Sequence, residues 1–288
     1  MDGKISIDAA KCTDCGLCAQ VCFLNYEKGE DGKVRPKEGL LCCAACGHCA
    51  AVCPVGAITH PLLPAGACEP LHEADRPTYE QYMGFLRMRR SRREFKDQPV
   101  PREAIAKLLA AANQAPNGLN RHNVHYTVIT DRAVLRELSS RVLAGTGKLM
   151  ALLRNPLGKA FFRFFKPAVY HELQFFLPLM DQLASLKSRD LVCYDAPCAI
   201  LVHTAEGDLC GPEDAVYAAA NIQYAAEALG LGTCVIGFIT NPVNADKGLK
   251  ALVRLPDGHK VHTSLVVGYP QFRYLRAAAK AAPKADYI

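Results

Sequence analysis

One cysteine spacing occurs twice near the start of this chain. Cys12, Cys15, Cys18 and Cys22 are followed by Cys43, Cys46, Cys49 and Cys53, with Pro54 after the last, an internal repeat with an offset of 31 residues. Nine of the 14 cysteines lie in the first 53 residues, so something local demands sulfur. The segment from Met1 to Cys12 has no basic region followed by an apolar run. No secretory signal is therefore expected, and a cytoplasmic, reducing location is. In that setting a dense thiol cluster reads as a metal site and not as a disulfide framework. Three closely spaced thiolates on a tight loop can reach three irons of one [4Fe-4S] cubane. The fourth, carried away by the helical turn that follows, ligates the other cluster. The expected sets are crossed: Cys12, Cys15, Cys18 and Cys53 hold one cluster, and Cys43, Cys46, Cys49 and Cys22 hold the second. Zinc modules generally pair C-x-x-C units and do not use this doubled triplet plus one.

Ile5 and Ile7, Val34 and Ile58 alternate with polar neighbours as short strands would. With the cysteine repeat ending in Cys-Pro, residues 1–60 resemble a two-cluster bacterial ferredoxin. Cys42, beside Cys43, is read as a packing residue or as an ambiguity in the register of the repeat. A ferredoxin stores and passes single electrons, so the rest of the 288-residue chain should say where they go. Pro54, Pro61, Pro64, Pro70 and Pro77 mark a stiff connection. The expected division is a cluster domain over 1–62, a proline-rich linker over 63–78 and a second domain over 79–288.

In that second domain the pattern predicts helices over 79–89 and 101–115 and a strand over 125–130. A helix capped by Asp131 should run to Leu143, and helical aromatic sequence should fill 147–187. A strand at 198–204, a helix at 212–229, a strand at 234–239, a helix from Asn244 and a strand at 261–268 complete an α+β core. The nearly uncharged run 215–243 is long enough to raise a membrane span, but Asn221, Gln223, Gly230, Gly232 and Gly237 make it a buried helix, turn and strand. No transmembrane segment is expected.

Four segments of this domain resemble the nitroreductase family of FMN enzymes. They are Arg89-Arg90-Ser91-Arg92-Arg93-Glu94-Phe95, Ala115-Pro116-Asn117-Gly118-Leu119-Asn120-Arg121, the run Ala228 to Gly237 around Gly230-Leu231-Gly232-Thr233-Cys234, and Gly268-Tyr269-Pro270. The resemblance spans residues 79–276 and implies an α+β fold with a central sheet flanked by helices, and FMN as cofactor. It further implies that Arg89, Ser91 and Arg93 bind the FMN phosphate and ribityl chain, with Arg273 or Arg276 completing the phosphate site. Forked guanidinium groups and a hydroxyl suit phosphate oxygens. Arg90 belongs to the same candidate set, although Arg90 and Arg92 are expected to face solvent or a partner subunit. By the same resemblance Asn117 and Asn120 lie at the flavin, and Val235, Ile236 and Gly237 contact it, the N–H of Ile236 or Gly237 donating to flavin N5. Asn117 stands where the family has Ser, and His122-Asn123-Val124 where Gln-Pro-Trp is common. Family members build the FMN site from both chains of a homodimer, which is expected here too.

No G-x-G-x-x-G follows a strand, and Gly145-Thr146-Gly147-Lys148-Leu149 lacks key positions of a P-loop, so no separate nucleotide domain is indicated. The net charge of +6 is concentrated in the run Arg87 to Arg93, which suits one phosphate better than a nucleic-acid duplex. Phe161, Phe162, Phe164, Phe165, Phe175 and Phe176 with interspersed Lys and Arg suggest a lid or dimer cover, with Tyr170 and His171 as its polar groups; plain core packing and contact with a membrane surface are the alternatives. The remaining cysteines, Cys68, Cys193, Cys198, Cys210 and Cys234, read as packing residues. The chain is thus expected to be an iron–sulfur flavoprotein oxidoreductase. It takes electrons from an external low-potential donor, such as a ferredoxin-like protein, through two [4Fe-4S] clusters to FMN. FMN then reduces a small acceptor: a nitro compound, quinone, activated alkene or flavin. The flavin supplies the reactive centre, so no catalytic side chain is required. The alternatives are an electron-transfer or redox-sensing flavoprotein without a small substrate, or other FMN chemistry such as reductive dehalogenation or flavin breakdown.

Overall fold

The computed structural model describes residues 5–37, 43–63, 68–168, 170, 171, 174, 178 and 190–288. Cys42, Phe175 and Phe176 lie outside them. The chain divides into two compact units, Met1–Thr78 with Gly118–Arg121, and Tyr79–Asn117 with His122–Ile288.

In the first unit, strand β1 (Ser6–Ile7) pairs antiparallel with β4 (Ile58–Thr59), and β2 (Tyr26–Lys28) with β3 (Val34–Pro36). Each cysteine triplet sits on a loop that runs into a short helix, α1 (Leu17–Val21) or α2 (His48–Ala51). The sequence repeat is also a backbone repeat. Asp14 and Ala45, 31 residues apart, both have φ of 50°, and Gly16 and Gly47 lie at φ 81° and 75°. Left-handed backbone twice within each loop turns the chain sharply between the cysteines, and glycine accepts the more open of those angles without steric cost. The core is small: Ile5, Tyr26, Val34 and Cys49, with Ile7 and Ile58 packed against it. A unit this small usually needs metals or cross-links to hold together.

The second unit is built on an antiparallel sheet ordered β5-β6-β8-β7, from β5 (His125–Ile129), β6 (Cys198–Ala205), β7 (Gly232–Val235) and β8 (His259–Gly268). Helices cover both faces, which is why β6 reads as an unbroken apolar run and is buried from Cys198 to Thr204. One face packs on α4 (Arg102–Ala112) and α7 (Gly211–Ala228), whose Ala215, Ala218, Ala219 and Ala226 let the helix sit close to the sheet. The opposite face packs on α5 (Arg132–Arg154), α8 (Gly237–Ala245) and α9 (Lys247–Leu252). Helix α3 (Tyr79–Met88) leads into the arginine segment.

Two boundaries differ from the sequence reading. Asp131 does cap α5, accepting from the N–H groups of Ala133 and Val134, but the helix runs past Leu143 to Arg154. Gly145 and Gly147 weaken it by roughly 1 kcal/mol each, and burial of Met150 and Leu153 outweighs that. Asn155 then caps α6 (Pro156–Phe165). The expected strand at 234–239 ends at Val235, and Gly237 opens α8, so the helix expected from Asn244 is α8 followed by α9. Ile236 is pinned where the chain bends: its N–H donates to the Ser264 carbonyl at 2.8 Å, and its own carbonyl accepts from Ser264 Oγ at 2.7 Å.

Candidate functional site

In the first unit the two expected cysteine sets have different surroundings. Cys12, Cys15, Cys18 and Cys53 line one cavity. Backbone amides point at two of these sulfurs, Asp14 N–H to Cys12 Sγ at 3.4 Å and Ala57 N–H to Cys53 Sγ at 3.3 Å. Around the other set Cys49 also receives backbone amides, and side-chain donors are added. Asn25 Nδ2 donates to Cys22 Sγ at 3.4 Å, and His60 Nε2 lies 3.2 Å from Cys43 Sγ. The buried Tyr26 hydroxyl lies beside Cys49 and also interacts electrostatically with Cys18 and Cys22. A buried hydroxyl and N–H groups aimed at cysteine sulfurs fit a group whose ligating sulfurs accept hydrogen bonds. Burial raises the Cys18 and Cys49 thiols above their ordinary range, so a bound cation is needed to make them thiolates. Among the described residues no three His, Cys, Asp or Glu converge on a single ion. The thiolates of a four-iron cluster each hold their own iron and stand farther apart. Cysteine sulfurs that receive N–H donors fit a [4Fe-4S] group. Burial also lowers the His60 pKa below the usual histidine range.

In the second unit the arginine segment runs beside β7. Ser91 pairs with Thr233 as a parallel bridge, the Arg92 N–H donates to the Thr233 carbonyl at 2.8 Å, and Phe95 bridges Pro270. Arg89 Nη1 donates to Gln223 Oε1 at 3.3 Å. Arg93 is exposed and lines a cavity of about 810 Å³ with Tyr194, Val235, Ile236 and Gly237. Cys234 lies on the same wall; burial raises its thiol, while Arg93, Ser91 and Arg89 act in the opposite direction. Arg93, Ser91 and Arg89 thus share one neighbourhood. An exposed cation, a half-buried one and a hydroxyl near a roomy, partly apolar cavity suit a planar ligand with an anionic tail. Arg141, Thr146, Asn241 and Asp246 also line the cavity, and no motif in the sequence pointed to them.

Arg92 corrects the expectation that it faces solvent or a partner. It is 8% exposed, donates from Nη1 to the Phe272 carbonyl at 3.0 Å, and lies 4.2 Å from the centre of the Tyr274 ring. An arginine at a buried alternate position of the run pins the C-terminal segment. Arg90 is half-buried, 5.8 Å from the same ring.

The other candidates stand apart from the cavity. Asn117 Oδ1 accepts from the His122 N–H and closes its own turn. Asn120, grouped with the first unit, donates from Nδ2 to the carbonyls of Ala44 and Ala45 at 3.1 and 3.0 Å. Arg273 and Arg276 are exposed in a tail without regular structure. Of the remaining cysteines, Cys193, Cys198 and Cys234 are buried, burial pushing Cys193 and Cys198 up to about 12. Cys68 is exposed and Cys210 half-buried, so the packing role does not extend to Cys68. Tyr170 is buried against Met150 and Leu153 and accepts from Gln174, as a packed residue would.

The fold agrees with comparisons to known proteins. The nitroreductase family model matches residues 86–269, and a 4Fe-4S binding domain model matches residues 5–25. An NADH dehydrogenase/NAD(P)H nitroreductase of Archaeoglobus fulgidus is 23% identical over 192 residues, covering 67% of this chain and 87% of that protein. A ferredoxin of Thermococcus litoralis is 41% identical over 58 residues, 19% of this chain and 95% of that protein. Among solved structures, an FMN-dependent nitroreductase of Clostridium difficile R20291 aligns with a TM-score of 0.54 at 23% identity, covering 72% of this chain and 99% of that one. A nitroreductase with bound FMN from Bacteroides fragilis aligns with a TM-score of 0.53 at 20% identity, over 72% and 97%. The class so defined is an oxidoreductase with an α+β core and an added iron–sulfur unit. The chain belongs to the nitroreductase family and carries a ferredoxin-type 4Fe-4S domain.

Proposed function

We propose that this chain is an FMN-dependent oxidoreductase that receives single electrons through two [4Fe-4S] clusters, held by the crossed cysteine sets, and passes them to a small acceptor. The observation that carries this reading is the cavity lined by Arg93, Val235, Ile236 and Gly237, in a chain that also carries the eight cysteines of the repeat. Bound FMN would supply the exchange between one-electron delivery and two-electron reduction of a nitro compound, quinone, activated alkene or flavin. The chain's own residues bind and orient. Arg89, Ser91 and Arg93 hold the phosphate and ribityl chain, with Arg273 or Arg276 completing the charge. The Ile236 N–H is already given to Ser264. That leaves the N–H of Gly237, in the unsatisfied first turn of α8, as the donor to flavin N5. Phe238 and Tyr194 give the cavity apolar walls against which a flavin ring could pack.

The working unit is a homodimer. On α7, Val216 and Tyr217 are exposed, as are Phe272 and Leu275 in the tail, apolar surface that a second copy would cover. Among the described residues no helix is long and apolar enough to cross a membrane.

Two measurements test the reading. A charge-assisted contact to phosphate is worth about 1.5–3 kcal/mol, so Arg93→Ala should weaken FMN binding roughly ten- to a hundredfold. Anaerobic titration of the reduced protein with candidate acceptors should give turnover. Unchanged FMN retention in both Arg89→Ala and Arg93→Ala would place the phosphate elsewhere. Oxidation only by another protein would make the chain a carrier.

A further inference from the structure

The two cysteine sets are related by the 31-residue repeat, but their surroundings are not. Asn25 and Tyr26 have Gly56 and Ala57 as repeat counterparts, and His60 has Gly29, so each hydrogen-bonding side chain beside the second set faces an empty position beside the first. The reverse holds for Asp14, whose counterpart is Ala45. Its Oδ1 lies 3.7 Å from Cys12 Sγ, held there by the Val34 N–H at 3.1 Å. Both sets receive backbone amides; the first adds one nearby carboxylate, the second adds side-chain donors.

The hydrogen on His60 is placed by its neighbours. Its Nδ1 accepts from the Leu62 N–H at 3.2 Å, so the ring proton is on Nε2, the atom 3.2 Å from Cys43 Sγ. The ring is 5% exposed, which keeps water from competing for that contact. Adding an electron to an iron–sulfur cluster puts more negative charge on its sulfurs. An N–H or O–H aimed at a ligating sulfur then stabilises the reduced form more than the oxidised one, and a carboxylate does the opposite.

We propose that His60, with Asn25 and Tyr26, makes the cluster of Cys22, Cys43, Cys46 and Cys49 the one of higher reduction potential, while Asp14 keeps the cluster of Cys12, Cys15, Cys18 and Cys53 low. One electron given by the external donor to the low cluster then moves to the high one. The first returns to its oxidised form as the second is reduced, with no proton taken up. The repeat is thus a two-step descent and not two equivalent stores. This inference rests on the two-cluster reading above.

The test is an anaerobic redox titration of the full-length protein followed by electron paramagnetic resonance, with iron and acid-labile sulfide measured on each sample. The wild type should contain about eight of each and show two separate one-electron steps. His60→Leu should lower the upper step and leave the lower one in place. A tenfold change in the reduced-to-oxidised ratio at the former midpoint corresponds to about 59 mV for one electron. His60→Gln, which keeps an N–H, should recover much of that shift, and Asp14→Asn should raise the lower step alone. If His60→Leu loses iron, Asn25→Leu serves in the same comparison and should lower the same upper step. An upper step that does not move in an iron-replete variant, or two steps that move together, overturns the assignment. About four iron per chain in the wild type overturns the two-cluster reading itself, which the iron count distinguishes from a failure of the tuning.

Discussion

Arg92 and Gly232 form a buried wedge whose energetics can be worked out from its contacts. A Cβ added at Gly232 would lie 2.5 Å from Arg92 Cγ and 3.0 Å from Arg92 Cβ, with Pro270 Cβ at 3.5 Å. The crowding involves the root of the arginine and not its flexible end, so the side chain cannot swing aside. Overpacking of this kind costs about 1–3 kcal/mol, so Gly232→Ala should destabilise by that amount. Arg92→Ala removes a charged hydrogen bond to the Phe272 carbonyl, worth about 1.5–3 kcal/mol. It also removes stacking on Tyr274, worth about 0.5–2 kcal/mol. Glu227, 3.9 Å away and nearly buried, loses its cation as well. A total near 3 kcal/mol follows for Arg92→Ala. The decisive quantity is the coupling, because once Arg92 is Ala the Cγ that Gly232→Ala would strike is gone. In that background the glycine substitution should cost less than about 1 kcal/mol. Urea unfolding followed by circular dichroism on the wild type, both single variants and the double variant gives the cycle. Additivity within about 0.5 kcal/mol would refute the wedge, since independent sites add to that precision.

Further outcomes are expected. Cys53→Ser should damage the cluster of Cys12, Cys15 and Cys18, read as its distinct resonance signal, and not the one built on Cys43, Cys46 and Cys49; loss of the latter would refute crossed ligation. Light scattering of the FMN-loaded protein should give about twice 31.3 kDa, and a single-chain mass would refute the homodimer. His203 is 2% exposed and bonded to Thr127 and His259, and burial, then His259, His125 and His262, lower its pKa to about 4. The folded state therefore resists the proton that the unfolded chain takes up near pH 6.5. Above that pH the group is silent, and below it stability falls until about pH 4, by on the order of 2–3 kcal/mol. His203→Gln should flatten the wild-type loss of urea stability between pH 7 and pH 4.5; equal pH slopes in the two proteins would remove His203 as the cause.

The parts of the molecule legible in the sequence are those where one local rule decides. Asp131 announces its helix because a short carboxylate before an amphipathic run can accept from the first free amides. The cysteine repeat announces its loops because the same angles must recur wherever the same spacing does. The run Cys234 to Ile239 misleads because an apolar stretch shows no period when strand and helix both bury it, and only the hold of Ser264 on Ile236 fixes where one ends. Arg92 misleads for a related reason. Charge marks a residue for the surface on average, yet a guanidinium can be buried when a carbonyl, a ring and a neighbouring glycine make room for it. His60 carries no motif at all; its meaning comes from a contact across 17 residues to Cys43. The comparison that the sequence does permit, and that spacing alone does not prompt, is between repeat halves. Where Asp14 faces Ala45 and Asn25 faces Gly56, the departures from the repeat mark the positions at which two like metal sites could be made unlike.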